Sequence, residues 1–197
     1  QKSSLLRGII ASIFRKSVCH DYELACKGCE FLNNCMYSAV FESPTRLINK
    51  LQRGASIPHP YIIRCHDEKT YYLEGDSLEF ELILIGKEME KIIPQLYQVL
   101  EQVSEKEFGR NKLRFYLDSI TQVSEDGIES GLLNEQNVLM PEISHFSYTP
   151  VEFDKVLIHF KTIWRAKKQG EYIREFDIQH FLWQIYQRAF ELNTIAE

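Results

Sequence analysis

The chain has 197 residues, of which 44% are apolar and 26% are charged, and its formal net charge is −5. This length and composition are ordinary for a soluble globular protein with one medium or two small domains. They exclude a membrane-spanning protein, because no apolar run is long enough to cross a bilayer. Residues 5–11 are too short and too charged for a secretory signal. We therefore predict a cytoplasmic location, where thiols stay reduced.

The first predicted element is an amphipathic helix over residues 3–18. Its apolar residues keep helical spacing, and they are Leu6, Ile9, Ile10, Ile13 and Phe14. Arg15 and Lys16 suit the negative C-terminal end of such a helix. Gly8 costs about 1 kcal/mol relative to alanine inside a helix, so we expect another backbone to approach it closely.

Four of the five cysteines follow this helix in one short segment, at Cys19, Cys26, Cys29 and Cys35. Gly28 lies inside the Cys-x2-Cys pair and lets the backbone turn, so that both sulfurs can reach one ion at about 2.3 Å. We predict a structural zinc site in a loop over residues 19–42. An iron–sulfur site and four metal-free thiols are the alternatives. A catalytic zinc is disfavoured because four thiolates leave no open position for water.

The middle of the chain alternates strand and helix signals. In chain order we predict strands over 61–65, 70–73 and 77–85, a helix over 88–103 and a strand over 112–123. The first two strands should form a hairpin, because residues 66–69 have turn chemistry. Pro94 should begin the regular part of the helix or kink it.

The last part of the chain predicts fewer elements. Residues 127–140 indicate a linker or a loop hairpin, and alternating apolar residues predict a strand over 156–167. A helix over 176–192 follows, with Asp177 as its N-cap.

The predicted fold class is α+β. The element order becomes a β-α-β-β-α-β ferredoxin-like domain when one strand is added before residue 1. Residues 1–148 would form this first RRM-like domain, with the cysteine-rich metal loop inserted after its first helix, and 149–197 an incomplete second ferredoxin-like domain. We therefore expect that these 197 residues are not a complete functional unit, and that further chain or a partner supplies the missing strands.

Basic residues are segregated from the acidic ones. The clusters are Arg15 and Lys16; Arg110, Lys112 and Arg114; and Lys161, Arg165, Lys167 and Lys168. Three such clusters favour an anionic partner in spite of the negative net charge. Solvated surface charge is the plainer interpretation of any single cluster.

Short motifs are spread over nearly the whole chain. They include Leu6-Arg7-Gly8 opening a helix, the four-cysteine block followed by Tyr37 and Phe41-Glu42, Gly75-Asp76 before a strand, a basic turn after Ile158-x-Phe160-x-Thr162-x-x-Arg165, and Arg188 in the last helix. Together they resemble one branch of the RAMP-superfamily endoribonucleases that process CRISPR precursor RNA. The cysteine block is the most specific of these motifs.

The resemblance implies tandem ferredoxin-like folds that bind CRISPR repeat RNA and cut it without a catalytic metal, by attack of a ribose 2′-OH on the adjacent phosphate. Such chemistry needs a general acid or base and a cation beside the phosphate. His20 is the leading candidate for proton transfer, and His59 is the second. Lys16 is the candidate cation. The chain departs from the family at Ile13, where a histidine is common.

The cation clusters supply the predicted RNA-binding residues, which are Arg15, Arg110, Lys112, Lys161, Arg165, Lys167 and Lys168. Two other classes of protein fit the same motifs. One is a non-catalytic RAMP module that only holds RNA, with a purely structural zinc loop. The other is a domain of a larger CRISPR protein that is fused to a reverse transcriptase and an integrase, or that acts with other CRISPR proteins.

Overall fold

The computed structural model describes residues 2–42, 58–104, 106–107, 112, 114–124, 126–133, 138–141, 152–160, 164–168 and 170–196. Within these ranges the helices are α1 (Lys2–Val18), α2 (Met36–Phe41), α3 (Ile93–Val103) and α4 (Ile178–Ala196). The strands are β1 (Tyr61–Arg64), β2 (Glu81–Leu84), β3 (Thr121–Val123), β4 (Glu129–Gly131), β5 (Lys167–Lys168) and β6 (Glu171–Tyr172). Helices and antiparallel strands therefore combine in an α+β protein.

The described strands pair as three separate antiparallel two-stranded sheets, β1–β2, β3–β4 and β5–β6. In the first sheet Tyr61 lies opposite Leu84, and Arg64 lies opposite Glu81. The predicted domain boundary after residue 148 lies outside the described residues.

The core lies where α1 packs against α2, α3 and β1. The buried residues of α1 are Leu6, Ile10, Ile13 and Phe14, which form one stripe of the helix. Phe14 and Val99 of α3 are completely buried, and the Phe14 ring meets Phe41 of α2 edge-on at 5.6 Å between centroids. The predicted helix over 3–18 is thus confirmed, and its apolar stripe organises the core.

Gly8 does not have the role that we predicted. A Cβ atom built at Gly8 would meet nothing within 4 Å, so the expected close approach of another backbone is wrong. Gly8 instead borders an open concavity on the exposed face of α1.

The predicted hairpin between 61–65 and 70–73 is also wrong, because the partner of β1 is β2. Two aspartates hold the intervening chain in turns. The backbone N–H of Lys69 donates to Asp67 at 2.7 Å, and that of Leu73 donates to Asp76 at 2.9 Å. These local bonds compete with strand pairing. Lys2 ties the loop to α1 by donating to the Asp67 carbonyl at 2.8 Å.

The structure around α3 agrees closely with the prediction from the sequence. A 3₁₀ helix over Lys87–Ile92 leads into α3, and Pro94 stands in its first turn. Pro94 therefore begins the regular helix, which was one of the two predictions for this residue. It is tolerated there because the first N–H groups of a helix have no partner inside the helix.

Two predicted strands are largely absent from the described residues. Lys112 has φ 49, in the left-handed region that a strand cannot use, and β3 begins only at Thr121. It pairs with β4. Within 127–140 an antiparallel bridge joins Leu133 to Leu139, which agrees with the hairpin alternative. Residues 152–160 contain no strand, and Leu157 is 95% exposed. Their alternating pattern has no partner strand among the described residues.

The last helix is confirmed as α4, and Asp177 caps it by accepting a 3.0 Å hydrogen bond from the His180 backbone N–H. An aromatic cluster precedes and joins the helix, and its rings belong to Phe160, Trp164, Phe176 and Phe181. Most of the remaining large apolar side chains of α4 are more than half exposed within the described part of the chain, as in Trp183 and Tyr186.

Replacing Phe14 with alanine is expected to lower the free energy of unfolding by about 3–5 kcal/mol, because a completely buried ring leaves a cavity. Leu5→Ala is the matched control on the same helix, since Leu5 is 48% exposed. It should change stability by no more than about 0.5 kcal/mol. Urea unfolding followed by circular dichroism measures both, and equal losses would contradict the burial pattern of α1.

Candidate functional site

A concave site of about 310 Å³ lies on the exposed face of α1. We call it the α1 groove, and its walls are Gly8, Ala11, Ser12, Arg15, Lys16, Tyr22 and Tyr37. Gly8, Ala11 and Ser12 lie three and four residues apart and share a face of the helix. Because these three side chains are small, a ligand can approach the helix closely.

Each cation of the α1 groove is associated with one tyrosine ring. Lys16 Nζ lies 5.7 Å from the centre of the Tyr22 ring, and Arg15 Cζ lies 5.6 Å from that of Tyr37. Tyr37 is buried and stacks on Phe41 at 5.2 Å, whereas Tyr22 is half exposed. A groove with two cations and the exposed ring of Tyr22 can attract an anion and stack a planar ring.

Arg15 also connects the groove to the cysteine loop. Its Nη2 donates to the Leu24 carbonyl at 2.6 Å, while its buried Nε has no hydrogen-bond partner among the described residues. The guanidinium contacts the Cys19 thiol and lies within electrostatic range of Cys26. Burial raises the pKa of the Cys26 thiol, and the positive charge of Arg15 opposes that rise.

The predicted zinc ligands are free, half-buried thiols. Cys19 and Cys35 both act electrostatically on Cys26, and the Cys29 N–H donates to the Cys26 carbonyl at 3.0 Å. In the described part of the chain no three His, Cys, Asp or Glu side chains form a group that could hold a metal ion. The donor set is chemically that of a closed zinc site, with a compensating cation beside it. The zinc site stays a prediction.

The two predicted histidines stand in different surroundings. His20 is exposed, and its ring faces Phe31 at 6.2 Å between centroids. It is not a wall residue of the α1 groove, whereas Lys16 is. The structure therefore brings Lys16 and Arg15 together in one cavity but does not add His20 to that cavity.

His59 is half-buried between two buried prolines. Its Nδ1 lies 3.3 Å from the Val40 carbonyl, and its ring lies 5.9 Å from that of Tyr61. Burial is the main cause of a lowered His59 pKa, and the positive charges of Arg7 and Arg188 lower it further. The Val40 hydrogen bond and Glu42 act in the opposite direction.

Three residues near His59 were not among the predicted site residues. Arg7 Cζ lies 5.8 Å from the centre of the Tyr61 ring. The Tyr61 hydroxyl is buried without a geometric hydrogen bond to any described residue, although Arg7 is close enough to act on it. Arg188 belongs to α4. Arg7 could have been found, because it shares a helix face with Arg15 eight residues later.

The other predicted RNA-binding cations are distributed unevenly. Lys112 Nζ and Arg114 Nη2 lie 3.7 Å and 3.3 Å from the two carboxylate oxygens of Glu107, which neutralises part of their charge. Lys167 Nζ lies 4.8 Å above the Tyr172 ring, and Arg165 is exposed. Two further predicted cations, Arg110 and Lys161, lie outside the described residues, as does the side chain of Lys168.

The fold and the groove define an α+β protein with a cationic, aromatic concavity on its first helix. Residues 1–144 match the model of the AF_1859_N family, which is described as an N-terminal domain. This match covers well over half of the chain, so the chain belongs to the AF_1859_N family. No curated protein matches the chain, and no solved structure does either. No helix among the described residues is long and apolar enough to cross a membrane.

Proposed function

We propose that this chain is a RAMP-type protein that binds CRISPR repeat RNA in the α1 groove and cleaves it as a metal-independent endoribonuclease. The observation that carries the RNA-binding part is the groove itself. It places Lys16 and Arg15, two cations predicted from the sequence, in one cavity with the rings of Tyr22 and Tyr37.

Single-stranded RNA suits this groove better than a duplex does. A base can stack on a tyrosine face only when it is not stacked inside a helix. The cations then hold the phosphates, which every sequence presents. Stacking and phosphate contacts together explain affinity, while the repeat sequence would be read elsewhere.

The order of packed elements supports a ferredoxin-like fold for the first domain. The chain runs α1–β1–β2–α3, with β1 and β2 antiparallel and α1 packed on both α3 and β1. This is the central α-β-β-α part of a β-α-β-β-α-β unit. We propose the tandem arrangement, with residues 1–148 in the first unit and 149–197 in the second, on this order and on the family resemblance.

The proposed cleavage moves one proton and exchanges one bond. A base takes the proton of a ribose 2′-OH, and the oxygen attacks the adjacent phosphorus. The bond to the 5′ oxygen then breaks, leaving a 2′,3′-cyclic phosphate and a 5′-OH that receives a proton. We assign to Lys16, which lines the groove, the stabilisation of the negative charge on the phosphate. His20 and His59 remain the candidates for proton transfer.

We propose that Cys19, Cys26, Cys29 and Cys35 would hold a structural zinc ion. When bound, the ion would supply only a fixed tetrahedral crosslink, with no open position for chemistry. The ion would stabilise the loop over 19–42, and this loop contributes Tyr22 and Tyr37 to the groove. A crosslinked loop would keep both rings in place against α1.

The non-catalytic RNA holder is a second candidate, and one observation favours it. Ile13, where the related enzymes often have a histidine, is 5% exposed and belongs to the core. The helix position that would present a catalytic group is therefore used for packing. Binding and cleavage consequently need separate tests.

Lys16→Gln is expected to weaken the binding of single-stranded repeat RNA and to lower the slope of log affinity against log salt by about 1, because one phosphate contact is lost. Lys87→Gln removes the same charge from an exposed site outside the groove and should change neither quantity. Tyr22→Ala should cost about 1–3 kcal/mol through lost stacking. Filter-binding titrations at several salt concentrations measure all three. Equal losses of RNA affinity for Lys16→Gln and Lys87→Gln would contradict the assignment of the groove as the RNA-binding site.

Cleavage is expected to continue without Mg²⁺ and to leave a 2′,3′-cyclic phosphate. His20→Ala or His59→Ala should slow it by about 10² or more if that residue transfers the proton, with binding retained. His66→Ala, at an exposed loop position, is the control. The assay uses labelled repeat RNA and zinc-loaded protein in buffer free of Mg²⁺. Activity that requires Mg²⁺ contradicts the mechanism, and unaltered cleavage in both variants rejects both histidines.

The purified protein is expected to contain one zinc ion per chain, because the four loop thiols form a single closed donor set. Cys26→Ser should lower this content. Cys65→Ser is the matched control, since Cys65 is also a free, half-buried thiol but lies outside the loop. Elemental analysis and the thiolate absorption of the cobalt-substituted protein provide the two measurements. Equal zinc content in both variants argues against the loop site.

A further inference from the structure

We propose a second phosphate-binding site, formed by Arg7, His59 and the hydroxyl of Tyr61, which we call the His59 site. Arg188 of α4 lies within electrostatic range of it. Its ligand is a phosphate group, free or carried by an RNA backbone. The assignment to RNA rests on the proposed function, whereas phosphate binding itself does not.

Tyr61 stands at the centre of the His59 site. Its ring is 8% exposed and is approached by Arg7 Cζ at 5.8 Å and by the His59 ring at 5.9 Å. The buried hydroxyl makes no geometric hydrogen bond with the described residues. Burying a hydroxyl donor without an acceptor is unfavourable, and a phosphate oxygen beside Arg7 would supply that acceptor.

The local charge favours an anion. Arg7 from α1 and Arg188 from α4 both act on His59 with positive charge, and Glu42 is the acid that opposes them. Neither arginine forms an ion pair with a described residue. Two guanidinium groups against one carboxylate leave an excess of one positive charge, and guanidinium groups bind phosphate well because they offer paired donors.

His59 can change its charge when a phosphate arrives. The Val40 carbonyl can only accept, so the 3.3 Å contact assigns the hydrogen of the neutral imidazole to Nδ1 and leaves Nε2 free to take a proton. Protonated Nε2 would then donate to the phosphate. The anion would offset the burial and the arginine charges that now disfavour the proton.

The His59 site and the α1 groove lie along one face of the same helix. Arg7 and Arg15 are eight residues apart, which is about 12 Å along the axis. Gly8, Ala11 and Ser12 lie between them. A short single strand could therefore contact both sites at once.

Phosphate binding should change how the free energy of unfolding of the protein depends on pH. The pKa of His59 in the folded protein is below its unfolded value of about 6.5. The unfolded chain therefore binds more protons there, and the contribution of His59 to the free energy of unfolding falls as pH falls below about 6.5. Bound phosphate raises the folded pKa and should reduce this acid sensitivity. The charged groups acting on His59 are Arg7, Arg188 and Glu42.

The experiment is an NMR titration of the His59 imidazole with and without inorganic phosphate, at ionic strength held constant with NaCl. Phosphate is expected to raise the pKa of His59. Arg188→Gln should weaken phosphate binding, because it removes one of the two positive charges that act on His59. Arg174→Gln, an exposed arginine before α4, is the matched control and should bind as the wild type does. Tyr61→Phe keeps the ring and should also weaken binding.

The outcomes separate this site from the proposed function. A His59 signal that does not respond to phosphate, or equal losses in Arg188→Gln and Arg174→Gln, overturns the site. Phosphate binding at His59 in a protein that does not bind RNA keeps the site and overturns the proposed function. The affinities of oligonucleotides of two to six nucleotides test whether one strand contacts both sites. The penalty from Arg188→Gln on oligonucleotide affinity should increase once the strand is long enough to reach both sites.

Discussion

The phase of α1 is the constraint on which the rest of the structure depends. Successive residues turn by about 100°, so a stripe that buries Leu6, Ile10 and Phe14 directs Arg15 away from the core and leaves Arg7 at the edge of the stripe, beside Tyr61. If the buried stripe of α1 were shifted by one residue, a guanidinium group would lie in the core. Burying a charge without a partner is strongly unfavourable. Helix packing and the placement of both cationic sites are therefore set by the same periodicity.

Helices could be predicted from the sequence because their signals are local. The stripe of α1 and the cap at Asp177 need no knowledge of distant residues. Strands depend on partners, and the prediction failed where the partner was not local. Residues 70–73 alternate like a strand, but Asp67 and Asp76 satisfy nearby N–H groups in turns. Residues 156–160 alternate equally well, yet pair with no described strand.

The candidate site was predictable to the same extent. Arg15, Lys16 and the four cysteines were found because they are adjacent in sequence to one helix end. The His59 site combines α1, β1 and α4, and no sequence spacing relates Arg7 to Arg188. The partial neutralisation of Lys112 by Glu107 was missed for a related reason, because charge clusters counted along a chain do not show which acids fold back onto them.

The position of Arg15 beside the cysteine loop determines which cation of the α1 groove is available to bind a phosphate. Four thiolates around a divalent zinc carry a net charge of −2, and Arg15 already contacts Cys19 and lies near Cys26. A guanidinium held against that negative centre has little attraction left for a phosphate. Lys16 lines the same cavity, and its Nζ lies 5.7 Å from the centre of the Tyr22 ring. With metal bound, Lys16 should therefore carry the phosphate contact, and Arg15 should hold the loop that supplies the aromatic walls.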